Sequence, residues 1–201
     1  MRSSCLTVIF AIVSTAVSPA QTPTIPEAVA AMRPGPYVTS RITEMAPPPF
    51  ETIVKSADLI VHGSLKKLRT YLSADQRTLY TDFEVVPTNT IAGSAISANA
   101  KPGPSPLILR QWGGETEIDG VLVKITEEGF PLLPVDQPLL LILRFNADAG
   151  KYEIAGTFGG AFQLQQGRRL KHWATPEIQY YERYNRMDVN EAVDEIRKHR
   201  K

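Results

Sequence analysis

Alternation of apolar and polar residues predicts that most of this chain forms β-strands. In residues 59–65 the apolar side chains recur at every second position and share one face, while His62 and Ser64 lie on the other face. A second alternating run covers residues 79–85, and residues 73–76 between the runs have the composition of a turn. The pattern therefore predicts a hairpin of two long, twisted strands.

Further strands are expected along the second half of the chain. Gly and Pro are concentrated in residues 92–106, which predicts a surface loop. The run Leu139–Leu143 is apolar on both faces, as expected for a central strand that is covered on both sides. The Gly113–Gly114 and Gly159–Gly160 pairs permit bulges and sharp bends. The expected strands are 107–112, 121–125, 138–145, 152–156 and 161–165.

Helices are expected near both ends of this strand-rich region. The sequence predicts a short helix at residues 50–56. Thr175, followed by Pro and Glu, predicts the start of another helix. Asp188 begins a second pattern of this kind, after which Val189, Val193 and Ile196 share one helical face. The predicted fold class is mainly β with flanking helices: a small closed or partly open antiparallel β-barrel with a C-terminal helix docked on it.

The first twenty residues have the pattern of a signal peptide. A short cationic start is followed by an almost unbroken apolar run over residues 5–17 and by small residues up to Ala20. A spanning helix needs about 20 apolar residues, so this run is short for a membrane anchor. We expect cleavage after Ala20, with Ala16 as the second choice, and a secreted or periplasmic product without a stable membrane span.

The rest of the chain divides into an arm and a domain. Residues 21–49 are rich in proline and small residues, which favours extended backbone and predicts a flexible N-terminal arm. Residues 50–201 are expected to form the β-barrel domain, with the C-terminal helices at about 174–201. A length of 201 residues suits one domain with a sizeable core.

Composition narrows the classes of function. Cleavage removes Arg2, so the 22 Lys and Arg residues of the full chain become 21, against 21 Asp and Glu. This balance gives no electrostatic reason to expect nucleic acid as a partner. Cleavage also removes Cys5, the only cysteine, so packing must stabilise the fold without disulfides. An exported domain of this size without cysteine is typical of a bacterial envelope protein.

Several segments resemble a known group of exported proteins. Residues 57–63 and 79–86, with the hairpin between them, resemble the opening of netrin-like modules and of tissue inhibitors of metalloproteinases. Residues 57–63 and 79–81, the step from Gly113 to Glu115 and the run from Tyr152 to Gly156 are similar to a pattern of uncharacterised exported bacterial proteins. The resemblance covers about half of the chain. It implies a five-stranded barrel of the oligonucleotide/oligosaccharide-binding (OB) type with terminal helices. Those inhibitors chelate zinc through an N-terminal cysteine, which the mature chain lacks, so that mechanism is not implied.

Acidic residues form one candidate site. Glu115 and Asp119, together with Asp82, could supply paired carboxylates for glycoside hydrolysis, although carboxylates near a turn are more often only solvated. His62 and Asp58 share a strand face, but residues four apart in a strand are about 13 Å apart and form no dyad. The sequence contains neither a Gly-x-Ser-x-Gly nucleophile elbow nor a phosphate-binding loop. No cofactor and no metal site are predicted.

The other candidate site interleaves aromatic residues with cations near the C-terminus. Trp173, Tyr180, Arg183, Tyr184 and Arg186 could bind a sugar or another partner, or they could pack a helix against the barrel. The function predicted from the sequence is a binding or interaction module for a protein or glycan partner in the envelope or the extracellular space. The alternative is an envelope hydrolase that uses Glu115, Asp119 and Asp82.

Overall fold

The structure is a computed structural model that describes residues 22–32, 35–41, 48–95, 106–173 and 184–200. Within these residues the chain is mainly β with a C-terminal helix, as predicted. Its helices are α1 (Ile25–Ala31), α2 (Phe50–Ser56) and α3 (Val189–His199). Its strands are β1 (Tyr37–Arg41), β2 (Leu59–Leu72), β3 (Leu79–Gly93), β4 (Leu107–Trp112), β5 (Gly114–Ile118), β6 (Val121–Glu127), β7 (Leu139–Asn146), β8 (Lys151–Ile154), β9 (Ala161–Gln165) and β10 (Arg169–His172).

The predicted hairpin is present and is longer than its alternating core. Strands β2 and β3 contain 14 and 15 residues and pair antiparallel along their whole length. The turn between them is closed by the backbone bond from Ser73 N–H to the Thr78 carbonyl, at 2.9 Å. Pairing shifts register between Lys67 and Arg69, so Arg69 and Tyr71 lie on the face opposite to the core.

Seven strands form one sheet in the order β10-β9-β7-β2-β3-β4-β8. Strand β8 also pairs antiparallel with β7, so the pairing from β7 through β2, β3, β4 and β8 returns to β7. Among the pairings of these five strands, only that between β4 and β8 is parallel. A second sheet has the order β1-β6-β5. We call the five strands that return to β7 the circuit.

Strand β7 separates two hydrophobic cores. Leu139, Leu141 and Leu143 belong to a cluster that receives side chains from all five strands of the circuit, which we call the circuit core. Leu140 and Ile142 point to the other side, where they join a cluster that includes α2 and α3, the helix core. All five side chains are fully buried. The prediction of a central strand covered on both faces is therefore confirmed.

Helix α3 begins where the sequence indicates. The Asp188 carboxylate accepts a hydrogen bond from the Asn190 N–H at 2.8 Å, which caps the helix. The buried face consists of Val189, Ala192 and Ile196, whereas the predicted Val193 is only half-buried. The helix therefore docks on the helix core as expected, rotated slightly from the predicted face. The predicted helix start at residue 175 and residues 174–183 around it lie outside the described residues.

The segment expected to be a flexible arm contains two ordered elements. Thr24 and Glu27 form a reciprocal capping box at the start of α1, whose Ile25 and Val29 are buried in a third cluster beside Val123. Strand β1 pairs parallel with β6. Over these residues the N-terminal segment is part of the folded core and not an arm. Among the described residues, no helix is both long and apolar enough to cross a membrane.

The Gly113–Gly114 pair carries the chain from one sheet to the other. Gly114 has φ +138°, and a Cβ at this position would overlap Thr81 Oγ1 and lie 2.7 Å from Thr70 Cγ2. These two threonines are hydrogen-bonded to each other at 3.0 Å, and Thr81 also donates to the Gly113 carbonyl at 2.8 Å. The close approach of β5 to β2 and β3 therefore depends on a residue without a side chain.

We predict that Gly114→Ala lowers the free energy of unfolding by about 2–4 kcal/mol, from steric overlap together with left-handed backbone. Gly120→Ala is the matched control, because Gly120 also has positive φ, +75°, but a Cβ there meets nothing within 4 Å. The control should cost about 1 kcal/mol. Urea denaturation of both variants measures the difference, and equal losses would show that the contact with the threonines does not matter.

Candidate binding cleft

The structure divides the predicted basic and aromatic site. Tyr180 and Arg183 lie outside the described residues. Tyr184 is only 4% exposed, and its ring stacks on Phe50 with the centroids 4.1 Å apart. The Arg186 carbonyl accepts a hydrogen bond from the Arg169 guanidinium at 2.8 Å. Tyr184 is therefore part of the helix core and does not offer its ring to a ligand.

Trp173 has a different role from the one expected. It is half-buried, packs against the circuit core and donates its indole N–H to the Pro131 carbonyl at 3.0 Å. The same carbonyl accepts from the Gln111 side chain at 3.0 Å, and the Gln111 side-chain oxygen accepts from the Leu133 N–H at 2.9 Å. Trp173 and Gln111 together fix the loop between β6 and β7.

The three carboxylates of the predicted acidic site have separate environments. Asp82 is buried on β3, whereas Glu115 is half-exposed and lies 3.9 Å from the Lys124 ammonium on the neighbouring strand β6. Asp119 is in the tight turn between β5 and β6, with φ 51°. Neither of the two cavities described below is lined by Asp82 or Asp119. Strand β5 was not predicted from the sequence, although the Asp119–Gly120 pair that follows it is a strong signal for a hairpin turn.

Asp82 is the centre of a cluster of cations on the outer face of the circuit. Lys151 Nζ lies 2.6 Å from Asp82 Oδ2, and the Tyr71 hydroxyl donates to Oδ1 at 3.1 Å. The Nε atoms of Arg69 and Arg110 lie 3.6 and 3.7 Å from this carboxylate. Arg69, Arg110 and Lys151 also lie over the Tyr71 ring, within 4.8–5.7 Å of its centroid. One buried carboxylate thus holds three cations in place.

Two cavities meet beside this cluster. The first, of about 290 Å³, we call the arginine cavity; its wall includes Tyr80, Arg110, Arg144, Glu153 and Phe158. The second, of about 570 Å³, we call the lysine cavity; its wall includes Lys67, Glu115, Lys124 and Leu132. Trp112, Glu127 and Phe130 line both cavities. The two cavities are therefore neighbours with a shared wall between the two sheets, and we call them together the cleft.

Glu127 is the most unusual side chain in this cleft. It is the last residue of β6, where the alternation that buries Val123 and Ile125 also turns Glu127 inward. Only 6% of the residue is exposed, and Glu127 Oε1 is fully buried without a hydrogen-bond partner among the described residues. A buried carboxylate oxygen in this state costs free energy, so it calls for a functional explanation.

Arg110 presents a matching donor. Its Nε atom is buried and makes no hydrogen bond within the described structure, since the contact with Asp82 at 3.7 Å is an ion pair without hydrogen-bond geometry. The same residue lines the arginine cavity. The cleft therefore contains one buried acceptor and one buried donor whose capacity is unused, on an aromatic wall.

The sequence contained a signal for Glu127 that the strand prediction did not use. Val121, Val123, Ile125 and Glu127 recur at every second position, so extending the predicted strand by two residues turns a carboxylate toward the core. Arg110 and Trp112 lie in a strand that was predicted correctly, but the sequence does not show that they face Glu127 across two sheets.

The described residues contain no group of three or more His, Cys, Asp or Glu side chains arranged to hold a metal ion. His172 is 2% exposed, and its ring contacts Phe162 edge-on at 5.0 Å. Burial lowers the pKa of His172 to about 4, while the backbone of Phe158 and Gly159 acts in the opposite direction.

The Asp82 cluster gives a prediction about stability. Asp82→Asn should lower the free energy of unfolding by about 2–3 kcal/mol, because Lys151 and Arg110 lose a charged partner. Glu115→Gln is the control: its ion pair is half-exposed on both sides, so the change should stay within about 0.5 kcal/mol. Chemical denaturation at low salt compares them. A loss for Glu115→Gln as large as that for Asp82→Asn would contradict this account.

His172 gives a prediction about pH. Its pKa is about 4 in the folded chain and 6.5 without the protein environment, so the unfolded chain takes up the proton first as the pH falls. The contribution of His172 to the free energy of unfolding is fully present above pH 6.5. It decreases as the pH falls from 6.5 to 4, by about 3 kcal/mol in total. His172→Gln should flatten the pH dependence of the unfolding free energy in this window. The other two histidines are present in both proteins, so their effects cancel when the two pH curves are compared. An unchanged slope of the unfolding free energy against pH would contradict the prediction.

Comparison with known proteins gives no further guide to the activity. No protein family, characterised protein or solved structure matches this chain. The geometry of the cleft and the patterns of the sequence therefore carry the functional argument.

Proposed function

We propose that this protein is an exported binding module that holds its ligand in the cleft between the two sheets. The observation that carries the proposal is Glu127, which lines both cavities and whose buried Oε1 has no hydrogen-bond partner among the described residues. Binding sites are typically apolar concavities with a few converging polar groups, and this cleft has that composition.

The strand pairing supports an OB-like barrel as the scaffold. The circuit has the order β2-β3-β4-β8-β7, with a single parallel contact between β4 and β8. A sheet whose pairing returns to its first strand has the connectivity of a small barrel, in line with the netrin-like resemblance. Barrels of the OB type bind on the face of their second and third strands. In this chain those strands are β3 and β4, which supply Tyr80, Arg110 and Trp112 to the cleft.

Export is proposed from the sequence alone, because residues 1–20 lie outside the described residues. The cationic start, the apolar run and the small residues up to Ala20 support a cleaved signal peptide. The envelope or the extracellular space is then the compartment in which the ligand is met. A protein or a glycan of that compartment is the partner that the sequence predicts.

Hydrolysis by Glu115, Asp119 and Asp82 is the weaker proposal. A glycosidase needs two carboxylates on either side of the bond that it cleaves. Asp82 is engaged by Lys151 and Tyr71, and of these three carboxylates only Glu115 lines either cavity. The Glu153 carboxylate, which does line the arginine cavity with Glu127, accepts a hydrogen bond from Asn146 at 2.9 Å. The arrangement supports binding more directly than cleavage.

A binding experiment can use the two tryptophans as reporters. The mature chain is labelled with fluorotryptophan, and fluorine NMR is recorded while neutral trisaccharides, an anionic trisaccharide, a neutral tripeptide and a mononucleotide are added separately. We expect at least one of these classes to shift the Trp112 resonance, which a Trp112→Phe variant assigns. Glu127→Gln should weaken the binding that causes this shift, because it replaces the carboxylate by a neutral amide while keeping the shape of the side chain.

The neighbouring Glu128→Gln is the matched control, because Glu128 is exposed and lines neither cavity. This variant should bind as the wild type does. Glu127→Gln should also melt at the same or a higher temperature than the wild type, since a site that serves binding is not optimised for stability. The proposal fails if none of the probes shifts Trp112, or if the chain cleaves the probe that binds.

A further inference from the structure

The charges along the cleft oppose a strongly ionic ligand. The arginine cavity is lined by two cations, Arg110 and Arg144, and by two carboxylates, Glu127 and Glu153. The lysine cavity is lined by Lys67 and Lys124 and again by two carboxylates. Arg110 also faces Asp82, which reduces its attraction for an anion. Because Glu127 lines both cavities, the cleft as a whole has four cations and three carboxylates, and Asp82 beside Arg110 balances the fourth cation. Neither a polyanion nor a polycation is therefore favoured over a neutral molecule.

The unused hydrogen-bonding groups narrow the ligand further. Glu127 Oε1 requires a donor and Arg110 Nε–H requires an acceptor, and both atoms are buried. A neutral ligand must therefore supply donors and acceptors together. A hydroxyl group does so at one atom, because it donates one hydrogen bond and accepts two. A molecule rich in hydroxyl groups satisfies both protein atoms without carrying a charge into the cleft.

The aromatic wall requires an apolar face on the same ligand. Trp112 and Phe130 line both cavities, and Phe130 packs against Phe158 with the centroids 4.1 Å apart. A pyranose ring has hydroxyl groups around its edge and C–H groups on its faces, so its faces can pack on aromatic rings while its edge forms hydrogen bonds. A peptide also offers donors and acceptors, but it combines them with an apolar face only where its side chains are suitable.

The size of the cleft indicates more than one sugar ring. Typical ligand pockets measure about 300–1,000 Å³. The arginine cavity, about 290 Å³, is at the lower end of this range, and the lysine cavity, about 570 Å³, adjoins it at Trp112 and Phe130. Resting on the proposed function, we infer that the cleft binds a neutral oligosaccharide, with Glu127 and Arg110 bonded to hydroxyl groups and with sugar rings packed on Trp112 and Phe130.

The test is isothermal titration of the mature chain with maltotriose, cellotriose and chitotriose, beside an anionic trigalacturonate and a neutral tripeptide. We expect at least one neutral trisaccharide to bind more tightly than trigalacturonate and the tripeptide. Glu127→Gln should weaken it by about tenfold or more, as expected for the loss of a hydrogen bond to a charged group. The affinity should change by less than about twofold between about 50 and 200 mM salt, because no counterions are released.

Two further variants test the inference independently of Glu127. Arg110→Lys keeps a cation beside Asp82 but removes the Nε–H donor, and Trp112→Leu removes an aromatic wall; each should weaken the trisaccharide, whereas Glu128→Gln should not. Binding of only trigalacturonate or only the tripeptide at Trp112 would overturn the saccharide inference and leave the proposed function standing. If no probe binds at all, the proposed function fails as well.

Discussion

The burial of β7 on both faces is the constraint on which the rest of this structure depends. Leu139, Leu141 and Leu143 complete the circuit core, while Leu140 and Ile142 fill the helix core, so one strand stabilises both. Its backbone is hydrogen-bonded to β2, β8 and β9. Hydrophobic burial is worth about 25 cal/mol per Å², so five fully buried aliphatic side chains on adjacent positions are a large contribution. The chain has a single cysteine, Cys5, so no disulfide within it can support the fold and packing takes that role.

The cleft exists because a second, smaller sheet is attached beside the circuit. Trp112 ends β4, and the two glycines that follow it allow the chain to enter β5 in close contact with β2 and β3. Strand β6 then returns and ends at Glu127. The wall of the cleft is therefore shared between two sheets, and its polar groups come from strand ends that are held by main-chain hydrogen bonds. Sites supported in this way keep their geometry without a ligand.

Much of the fold could be predicted from local pattern, whereas the site could not. Strands β4 and β9 match their predicted bounds, and Asp188 caps α3 as expected, because alternation and capping are properties of neighbouring residues. Helix α1 lies in the segment whose prolines indicate a linker, although Thr24 and Glu27 form a capping box at its start. Glu127 and Arg110 line one cavity although their strands, β6 and β4, belong to different sheets and do not pair, and no local pattern records that arrangement. Tyr184 is a residue type that is common at contact surfaces, but contacts with segments distant in sequence bury it in the core.

The loop that carries Phe130 has a consequence for selectivity. The Pro131 carbonyl accepts two hydrogen bonds, from Gln111 and from Trp173, and a carbonyl oxygen has two lone pairs. The side-chain oxygen of Gln111 accepts a hydrogen bond from the Leu133 N–H. The Pro131 carbonyl and the Trp173 indole N–H are therefore saturated by the protein and cannot bind a guest molecule. Discrimination among ligands then falls to the side-chain atoms of the cleft that keep unused hydrogen-bonding capacity.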